Sequence, residues 1–222
     1  MLILQIEIVV CKLIVLKRLS IDRRARGVIF DLDGTIADTM PVHYVAYRNI
    51  LKEYDIDFPV ELFQALAGIP AIGVMERINE TYGTSMDAEK VGMQKEMEYE
   101  RLMHLMKPVD PVVELIREAH GRLPMAVGTG GYKRLAWKTR DILGLKDYFP
   151  ILVASEDVER HKPFPDTFLK CAELMGVEPR YCQVFEDGRL GLEAARAAGM
   201  MAVDVTGFYK VTTGIPVDLQ GL

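Results

Sequence analysis

The chain has 222 residues, of which 50% are hydrophobic and 27% charged, and its formal net charge at pH 7 is -5. This length can bury one substantial core together with a small second module. The acidic balance and the lack of a run of Lys and Arg remove the electrostatic basis for binding nucleic acid, so we predict no nucleic-acid partner.

The N-terminal segment, residues 1–20, is rich in Ile, Leu and Val. Glu7 and Lys12 interrupt it, its apolar run is too short to span a bilayer, and no small-residue cleavage site follows. We interpret residues 1–25 as an extension outside the domain and predict no stable membrane association; a peripheral membrane helix is the alternative. The three cysteines form no CxxC pair, which favours a reducing compartment and predicts a cytoplasmic protein.

A short run of β-branched and aromatic residues, 28–30, predicts a buried strand. It ends in Asp31-Leu32-Asp33-Gly34-Thr35, which places two carboxylates two residues apart at the carboxyl end of that strand. Gly34 allows the backbone to turn sharply. Ligands of open α/β sheets bind at this end of the strands, so the segment is a candidate site.

The next segment, residues 41–107, loses the strand character. Apolar residues recur at spacings of three and four, which predicts a helix that begins at Pro41 and further helices over 61–66, 73–82 and 88–106, with no strand between them. We interpret the segment as a compact helical insert whose methionines fill its core.

From residue 108 the chain alternates between helix and strand. The pattern predicts helices over 112–120, 133–143, 166–175 and 190–198, and strands over 125–128, 151–154, 182–185 and 201–205. Such alternation is typical of a doubly wound parallel sheet with right-handed crossovers. The predicted fold is therefore α/β, a Rossmann-like sheet core with a small inserted α-helical domain.

Three more of the predicted strands are followed by polar residues that this topology brings beside Asp31. They are Thr129 and Gly130, Lys162, and the acidic pair Glu186 and Asp187. Four carboxylates in one place repel one another unless a divalent cation or a proton neutralises them, and oxygen ligands suit Mg²⁺. Magnesium and a lysine together favour a phosphoryl group, whose oxygens carry spread negative charge.

The Asp31–Thr35 segment resembles the DxDGT signature of the haloacid dehalogenase-like phosphohydrolases, and the other polar residues resemble that family's further motifs in order. The resemblance implies that Asp31 is the nucleophile and Asp33 the general acid and base. It implies that Thr129, Gly130 and Lys162 bind the phosphoryl group. It also implies that Asp31, the main-chain carbonyl of Asp33, Asp187 and Glu186 hold Mg²⁺.

Residues 26–206 resemble in particular the branch that contains β-phosphoglucomutase and bacterial fructose-1-phosphate-type phosphatases, on segments 124–130, 166–169 and 194–200. The resemblance implies a catalytic α/β core made of residues 26–40 and 108–222. It implies that the insert, residues 41–107, is a cap that closes over the substrate. His43 falls at a hinge-side position where it could support Asp33; a histidine that is only packed or solvated is the alternative.

The choice between mutase and phosphatase depends on the insert. A second phosphate needs fixed positive charge, yet segments 68–71 and 82–85, which match the mutases' cationic positions, contain neither Arg nor Lys, and Arg77 is out of register. We therefore predict a monomeric Mg²⁺-dependent phosphatase that acts on a small sugar or polyol monophosphate resembling fructose 1-phosphate. The alternatives are a β-phosphoglucomutase and a non-catalytic phosphosugar-binding protein. Two departures from the family pattern, Gly131 and Gly188, loosen the loops they occupy.

Overall fold

The computed structural model describes residues 18–66 and 69–209. Most of the predicted extension at residues 1–25, and Gly68 of the insert, therefore lie outside the described residues. The strands are β1 Gly27–Phe30, β2 Ala37–Asp38, β3 Lys107–Pro108, β4 Met125–Gly128, β5 Ile151–Val153, β6 Cys182–Glu186 and β7 Met201–Asp204. The α-helices are α1 Met40–Lys52, α2 Val60–Ala65, α3 Ala71–Tyr82, α4 Ala88–Leu102, α5 Asp110–Ala119, α6 Lys133–Ile142, α7 Asp166–Met175 and α8 Arg189–Ala197.

Five of the strands form one parallel sheet in the order β5-β4-β1-β6-β7. Strand β1 lies at its centre and pairs in parallel with β4 on one side and β6 on the other. The sheet confirms the predicted α/β fold class. Because its strands are parallel, all five carboxyl ends lie along the same edge of the sheet.

Helices cover both faces of the sheet. Val28 and Phe30 of β1 belong to an apolar cluster that contains the buried residues of α5, whereas Ile29 belongs to a second cluster with buried residues of α7 and α8. Neighbouring side chains of a strand point to opposite faces, so a strand buried on both sides reads as a continuous apolar run. This explains why residues 28–30 carry no polar alternation.

The helices α1 to α4 lie between β2 and β3 in the chain and have an apolar cluster of their own, which includes Tyr44, Phe58 and Met75. The N-terminus of α4 is capped by Asp87, whose carboxylate accepts a hydrogen bond from the Lys90 N–H at 3.0 Å. We refer to residues 40–105 as the helical segment. The predicted domain boundaries at 41 and 107 remain a prediction.

The prediction of one helix over 88–106 was wrong at its C-terminal end. Helix α4 ends at Leu102, a 3-10 helix follows over Met103–Leu105, and β3 then pairs antiparallel with β2. Two-residue strands are too short to produce an alternating pattern, and one of them contains Pro108, so the sequence gives no signal for them. Among the described residues, no helix is long and apolar enough to cross a bilayer.

Candidate active site

The predicted polar residues lie along the carboxyl edge of the sheet. Asp31 follows β1 directly, Thr129 follows β4, and Glu186 is the last residue of β6, with Asp187 next to it. These three strands are neighbours in the sheet. The strand order therefore brings together residues that are up to 156 positions apart in the chain.

Lys162 joins two of these carboxylates. Its Nζ donates to Oδ1 of Asp31 at 2.6 Å and to Oε1 of Glu186 at 2.9 Å, and all three side chains are nearly excluded from solvent. Burial disfavours the charge of Lys162, but Asp31 and Glu186 outweigh it and raise the pKa of the ammonium group. Lys162 is therefore a fixed positive charge beside Asp31.

Asp187 completes an acidic cluster. Carboxylate oxygens of Asp31, Glu186 and Asp187 lie within 4.8 Å of one another, and the Thr35 hydroxyl donates to Oδ1 of Asp187 at 2.7 Å. Burial and the charge of Asp31 raise the pKa values of both Glu186 and Asp187. Crowded oxygen donors with raised pKa values fit a divalent cation, which would relieve their repulsion.

Two glycines allow this cluster to pack closely. A Cβ atom on Gly34, which has a φ of +88°, would lie 2.3 Å from Oδ2 of Asp187. A Cβ atom on Gly191, in the first turn of α8, would lie 1.8 Å from Oε1 of Glu186. The sequence analysis found Gly34 but missed Gly191, whose only signal is a helix-breaking residue soon after the acidic pair.

Asp33 and Thr129 lie close to each other on the side of the cluster that faces β4. The Thr129 hydroxyl accepts a hydrogen bond from the Gly131 N–H at 3.0 Å. A Cβ atom on Gly131 would lie 3.4 Å from both Oδ2 of Asp33 and Oγ1 of Thr129, so Gly131 lies directly against both groups. Gly130 has open space on its Cβ side.

Asp33 has a different environment from Asp31. Burial and the nearby charge of Asp31 raise its pKa to about 6, against the opposing charges of Lys162 and Lys95. A carboxyl group with a pKa near neutrality can both donate and accept a proton in turnover. Asp33 therefore suits acid-base chemistry.

His43 lies on α1 and contacts a buried cation. Burial and the charge of Lys95 hold its pKa well below the usual range, so the imidazole is neutral. Its ring stacks on Tyr99, with the ring centroids 3.7 Å apart, and its Nδ1 accepts a hydrogen bond from Lys95 Nζ at 2.8 Å. These contacts test neither the predicted hinge role of His43 nor its support of Asp33, so both stay predictions.

Lys95 is a buried cation near Asp33 that the sequence analysis missed. It projects from α4, is only 2% exposed and pairs with Glu96 at 3.0 Å, and its charge and that of Asp33 act on each other's pKa values. The sequence search for a cation in the helical segment examined 68–71 and 82–85, and α4 lies outside both. By contrast Arg77 is exposed and pairs with Glu80.

A small cavity adjoins His43 inside the helical segment. Its volume is about 130 Å³, and it is lined by Met40, His43, Tyr47, Phe63, Leu66, Ile69 and Val74. None of these seven residues carries a formal charge, since His43 is neutral. Binding a phosphate or a carboxylate in this cavity would therefore be unfavourable.

The parallel sheet carries an aspartate paired with a lysine, and an acidic pair that could hold a metal, at its carboxyl edge. This arrangement is typical of α/β enzymes that hydrolyse phosphate esters. The chain belongs to the haloacid dehalogenase-like hydrolases, because the model of that family matches residues 28–205. Hydrolases of this family generally use a divalent metal, in keeping with the acidic cluster.

Individual relatives are enzymes of phosphorylated sugars. The chain is 44% identical to the fructose-1-phosphate phosphatase YqaB of Escherichia coli over 183 residues, which cover 82% of this chain and 97% of the relative. It is 31% identical to the β-phosphoglucomutase of Bacillus subtilis, with 81% and 83% covered. The crystal structure of the Clostridium difficile β-phosphoglucomutase matches with a TM-score of 0.67 at 25% identity, covering 81% of this chain and 84% of that one.

Proposed function

We propose that the protein is a phosphatase that hydrolyses the monophosphate of a small sugar or polyol such as fructose 1-phosphate. The observation that carries the proposal is the carboxylate of Asp31 at the end of β1, hydrogen-bonded to Lys162 at 2.6 Å, with Asp33 and the acidic pair around it. The similarity to YqaB over almost the whole of that enzyme supports the substrate class.

Hydrolysis takes place in two steps in this proposal. A carboxylate oxygen of Asp31 attacks phosphorus, the bond between phosphorus and the sugar oxygen breaks, and Asp33 donates its proton to the departing alkoxide. Asp33, now ionised, then takes a proton from a water molecule that attacks the phosphorus of the aspartyl phosphate. Inorganic phosphate leaves, and Asp31 returns to its free carboxylate form.

Lys162 and Thr129 bind the transferred phosphoryl group, together with the main-chain amides around Gly130. The Lys162 ammonium lies next to the attacking carboxylate, where it can meet phosphoryl oxygens with little rearrangement. Thr129 is 1% exposed, and its neighbours Gly130 and Gly131 add no side chain that would block an oxygen from reaching the amides.

The divalent metal is Mg²⁺ in this proposal. Asp31, Asp187 and the main-chain carbonyl of Asp33 would hold it, with Glu186 assisting directly or through water. A hard cation of this kind prefers carboxylate and carbonyl oxygens and supplies positive charge to the phosphoryl oxygens. The clustered oxygens of Asp31, Glu186 and Asp187 support this ligand set.

The helical segment acts as a cap that receives the sugar. Lys95 brings one positive charge towards Asp33, whereas the cavity beside His43 is uncharged. A leaving group with hydroxyls and no second anion fits such surroundings, because a bisphosphate would need more fixed positive charge.

The buried free thiols of Cys171 and Cys182 are compatible with a cytoplasmic enzyme, and we retain a monomer as a prediction.

A β-phosphoglucomutase is the second candidate, and Lys95 is the observation that favours it. The sequence analysis argued against a mutase because segments 68–71 and 82–85 contain no cation and Arg77 is out of register; Lys95 is a buried cation elsewhere in the helical segment. A mutase would transfer the phosphoryl group between two positions of one sugar and would depend on a sugar bisphosphate.

Phosphate release in the presence of Mg²⁺ separates these candidates. The substrates are fructose 1-phosphate and β-glucose 1-phosphate, with and without glucose 1,6-bisphosphate, and the variants are Asp31→Asn and the exposed control Asp147→Asn. We expect release without bisphosphate, lost by roughly a thousandfold or more in Asp31→Asn because the nucleophile is gone, and unchanged in Asp147→Asn. Bisphosphate-dependent formation of glucose 6-phosphate without phosphate release would instead establish the mutase.

A further inference from the structure

The chain turns back towards the acidic cluster after β7. The Val205 N–H donates to the carbonyl oxygen of Glu186 at 2.9 Å, and the Phe208 N–H donates to that of Val205 at 3.0 Å. These bonds fix a tight turn beside the end of β6. The family match ends at residue 205, so residues 206–209 of the turn follow the matched range.

Tyr209, at the end of this turn, reaches across to the loop after β1. Its hydroxyl donates a hydrogen bond to the carbonyl oxygen of Gly34, and its ring packs against the apolar cluster of the α5 face. Burial, together with surrounding carboxylates that include Asp187, raises the pKa of the phenol. The hydroxyl therefore stays protonated and remains a donor.

The backbone at Gly34 adjoins two candidate metal ligands, the main-chain carbonyl of Asp33 and the carboxylate of Asp187. Its N–H donates to the carbonyl oxygen of Ala37 at 2.7 Å, and in a trans peptide the carbonyl of Asp33 points the opposite way. The close approach of Asp187 to Gly34 means that a shift of Gly34 displaces that carboxylate as well.

A glycine at this place has weak torsional preferences of its own. With a φ of +88° and no Cβ atom, Gly34 can rotate at low cost unless its neighbours hold it. The bond to Ala37 fixes the peptide plane before Gly34. The plane after Gly34 is held at both ends: the Thr35 N–H donates a long hydrogen bond of 3.3 Å to the carbonyl oxygen of Leu32, and Tyr209 holds the Gly34 carbonyl.

We propose that Tyr209 is a positioning residue of the active site, which anchors the Gly34 carbonyl and thereby holds the Asp33 carbonyl and the Asp187 carboxylate in a metal-competent arrangement. Tyr209 is not one of the residues proposed to bind substrate or metal. The inference deepens the proposed function and rests on it for the identity of the reaction, whereas the effect on the metal can be measured without any substrate.

The test compares Tyr209→Phe with Tyr82→Phe in the full-length chain. Tyr82 is a matched control, because its hydroxyl also donates to a main-chain carbonyl, that of Asp57 at 2.7 Å, in the helical segment. Mg²⁺ affinity is measured by isothermal titration calorimetry, kcat and KM by phosphate release, and Tm by calorimetric scanning. Phenylalanine keeps the ring and removes only the hydroxyl.

We expect Tyr209→Phe to bind Mg²⁺ about tenfold more weakly than wild type and to lose about tenfold in kcat, since one hydrogen bond is worth about that factor. KM for the sugar phosphate should stay within about twofold. Equal Mg²⁺ affinity in Tyr209→Phe and Tyr82→Phe would overturn the inference, as would a parallel collapse of affinity, KM and Tm. If wild type releases no phosphate, the proposed function fails, while the Mg²⁺ comparison still decides the role of Tyr209.

Discussion

At the scale of single residues, Asp31 and Asp33 show how two identical side chains receive different tasks. They are separated by one residue, yet Asp31 is paired with the Lys162 ammonium, whereas burial beside Asp31 raises the pKa of Asp33 to about 6. In the proposed mechanism the paired carboxylate is the nucleophile, and the one with the raised pKa carries the proton. The environment, and not the residue type, separates these two proposed roles.

Gly191→Ala tests how tightly Glu186 is held. Helix propensity predicts that alanine inside α8 stabilises the fold by up to about 1 kcal/mol. The new Cβ atom would overlap the Glu186 side chain, which Lys162 and the Gly188 N–H hold in place. We therefore expect kcat/KM to fall at least about tenfold, because the misplaced carboxylate no longer serves the site. We also expect Tm to fall, because displacing Glu186 breaks its buried pair with Lys162 and outweighs the gain in helix propensity.

The measurements for this variant are phosphate release and calorimetric unfolding, side by side with Gly144→Ala. Gly144 has a φ of +67° and open space around its Cβ position, so alanine there should lower stability through backbone strain and leave activity intact. Full activity in Gly191→Ala would show that Glu186 moves aside without consequence, contrary to the expectation.

At the scale of elements, an ion pair joins α4 of the helical segment to α6 of the core. Oε1 of Glu100 accepts hydrogen bonds from Arg134 and from Lys138, the latter at 3.1 Å. These bonds lower the pKa of Glu100 from its ordinary value of 4.5 to about 2. A carboxylate that is more acidic when folded stabilises the fold above its unfolded pKa.

Glu100→Gln should therefore cost at most about 1 kcal/mol of unfolding free energy at pH 7, since the pair is near the surface and screened by salt. The difference from wild type should shrink as the pH falls from about 4.5 towards 2, where the folded-state carboxylate takes up its proton. Urea unfolding at several pH values measures it, with Glu193→Gln, whose partner Arg189 is on the same helix, as the control. A difference that grows on acidification would contradict this assignment.

At the scale of the whole molecule, the fold gathers four carboxylates and one lysine at one edge of the sheet. Asp31, Asp33, Glu186 and Asp187 come from two separate strand ends. Among the described residues, Lys162 pairs with Asp31 and Glu186, and the charge of Lys95 acts on Asp33. Without a further cation this edge is a source of repulsion within the folded state. A bound metal should for that reason stabilise the whole domain.

Adding Mg²⁺ at about 100 times its Kd should raise the unfolding free energy by about 2.7 kcal/mol. For a chain of this size the corresponding rise in Tm is about 5 to 10 °C, and chelation should reverse it. Asp187→Asn should abolish the Mg²⁺ effect and, in chelator, be at least as stable as wild type, because one repelling charge is gone. Calorimetric scans of both proteins and of Asp147→Asn measure this, and an undiminished Mg²⁺ shift in Asp187→Asn would remove Asp187 from the ligand set.

Much of the architecture could be predicted because its signals are local. The strand at 125–128 and the helix at 166–175 were predicted with the observed bounds, and both depend on apolar patterns and on the glycines or turn residues next to them. The β2–β3 pair and the early end of α4 could not be predicted, because a two-residue pairing is stabilised by contacts far apart in the sequence and leaves no periodic trace.

The residues proposed to carry the chemistry can be recognised in the sequence, because each follows or ends a predicted strand and matches a motif. They are Asp31, Asp33, Thr129, Lys162, Glu186 and Asp187. Which other residues adjoin these groups became visible only in the folded structure. Lys95, Gly191 and Tyr209 lie on two helices and in the turn after β7, where a lysine, a glycine or a tyrosine is ordinary. The roles proposed for them depend on burial beside His43, on close packing on Glu186 and on a hydrogen bond to Gly34, and such contacts exist only after the chain has folded.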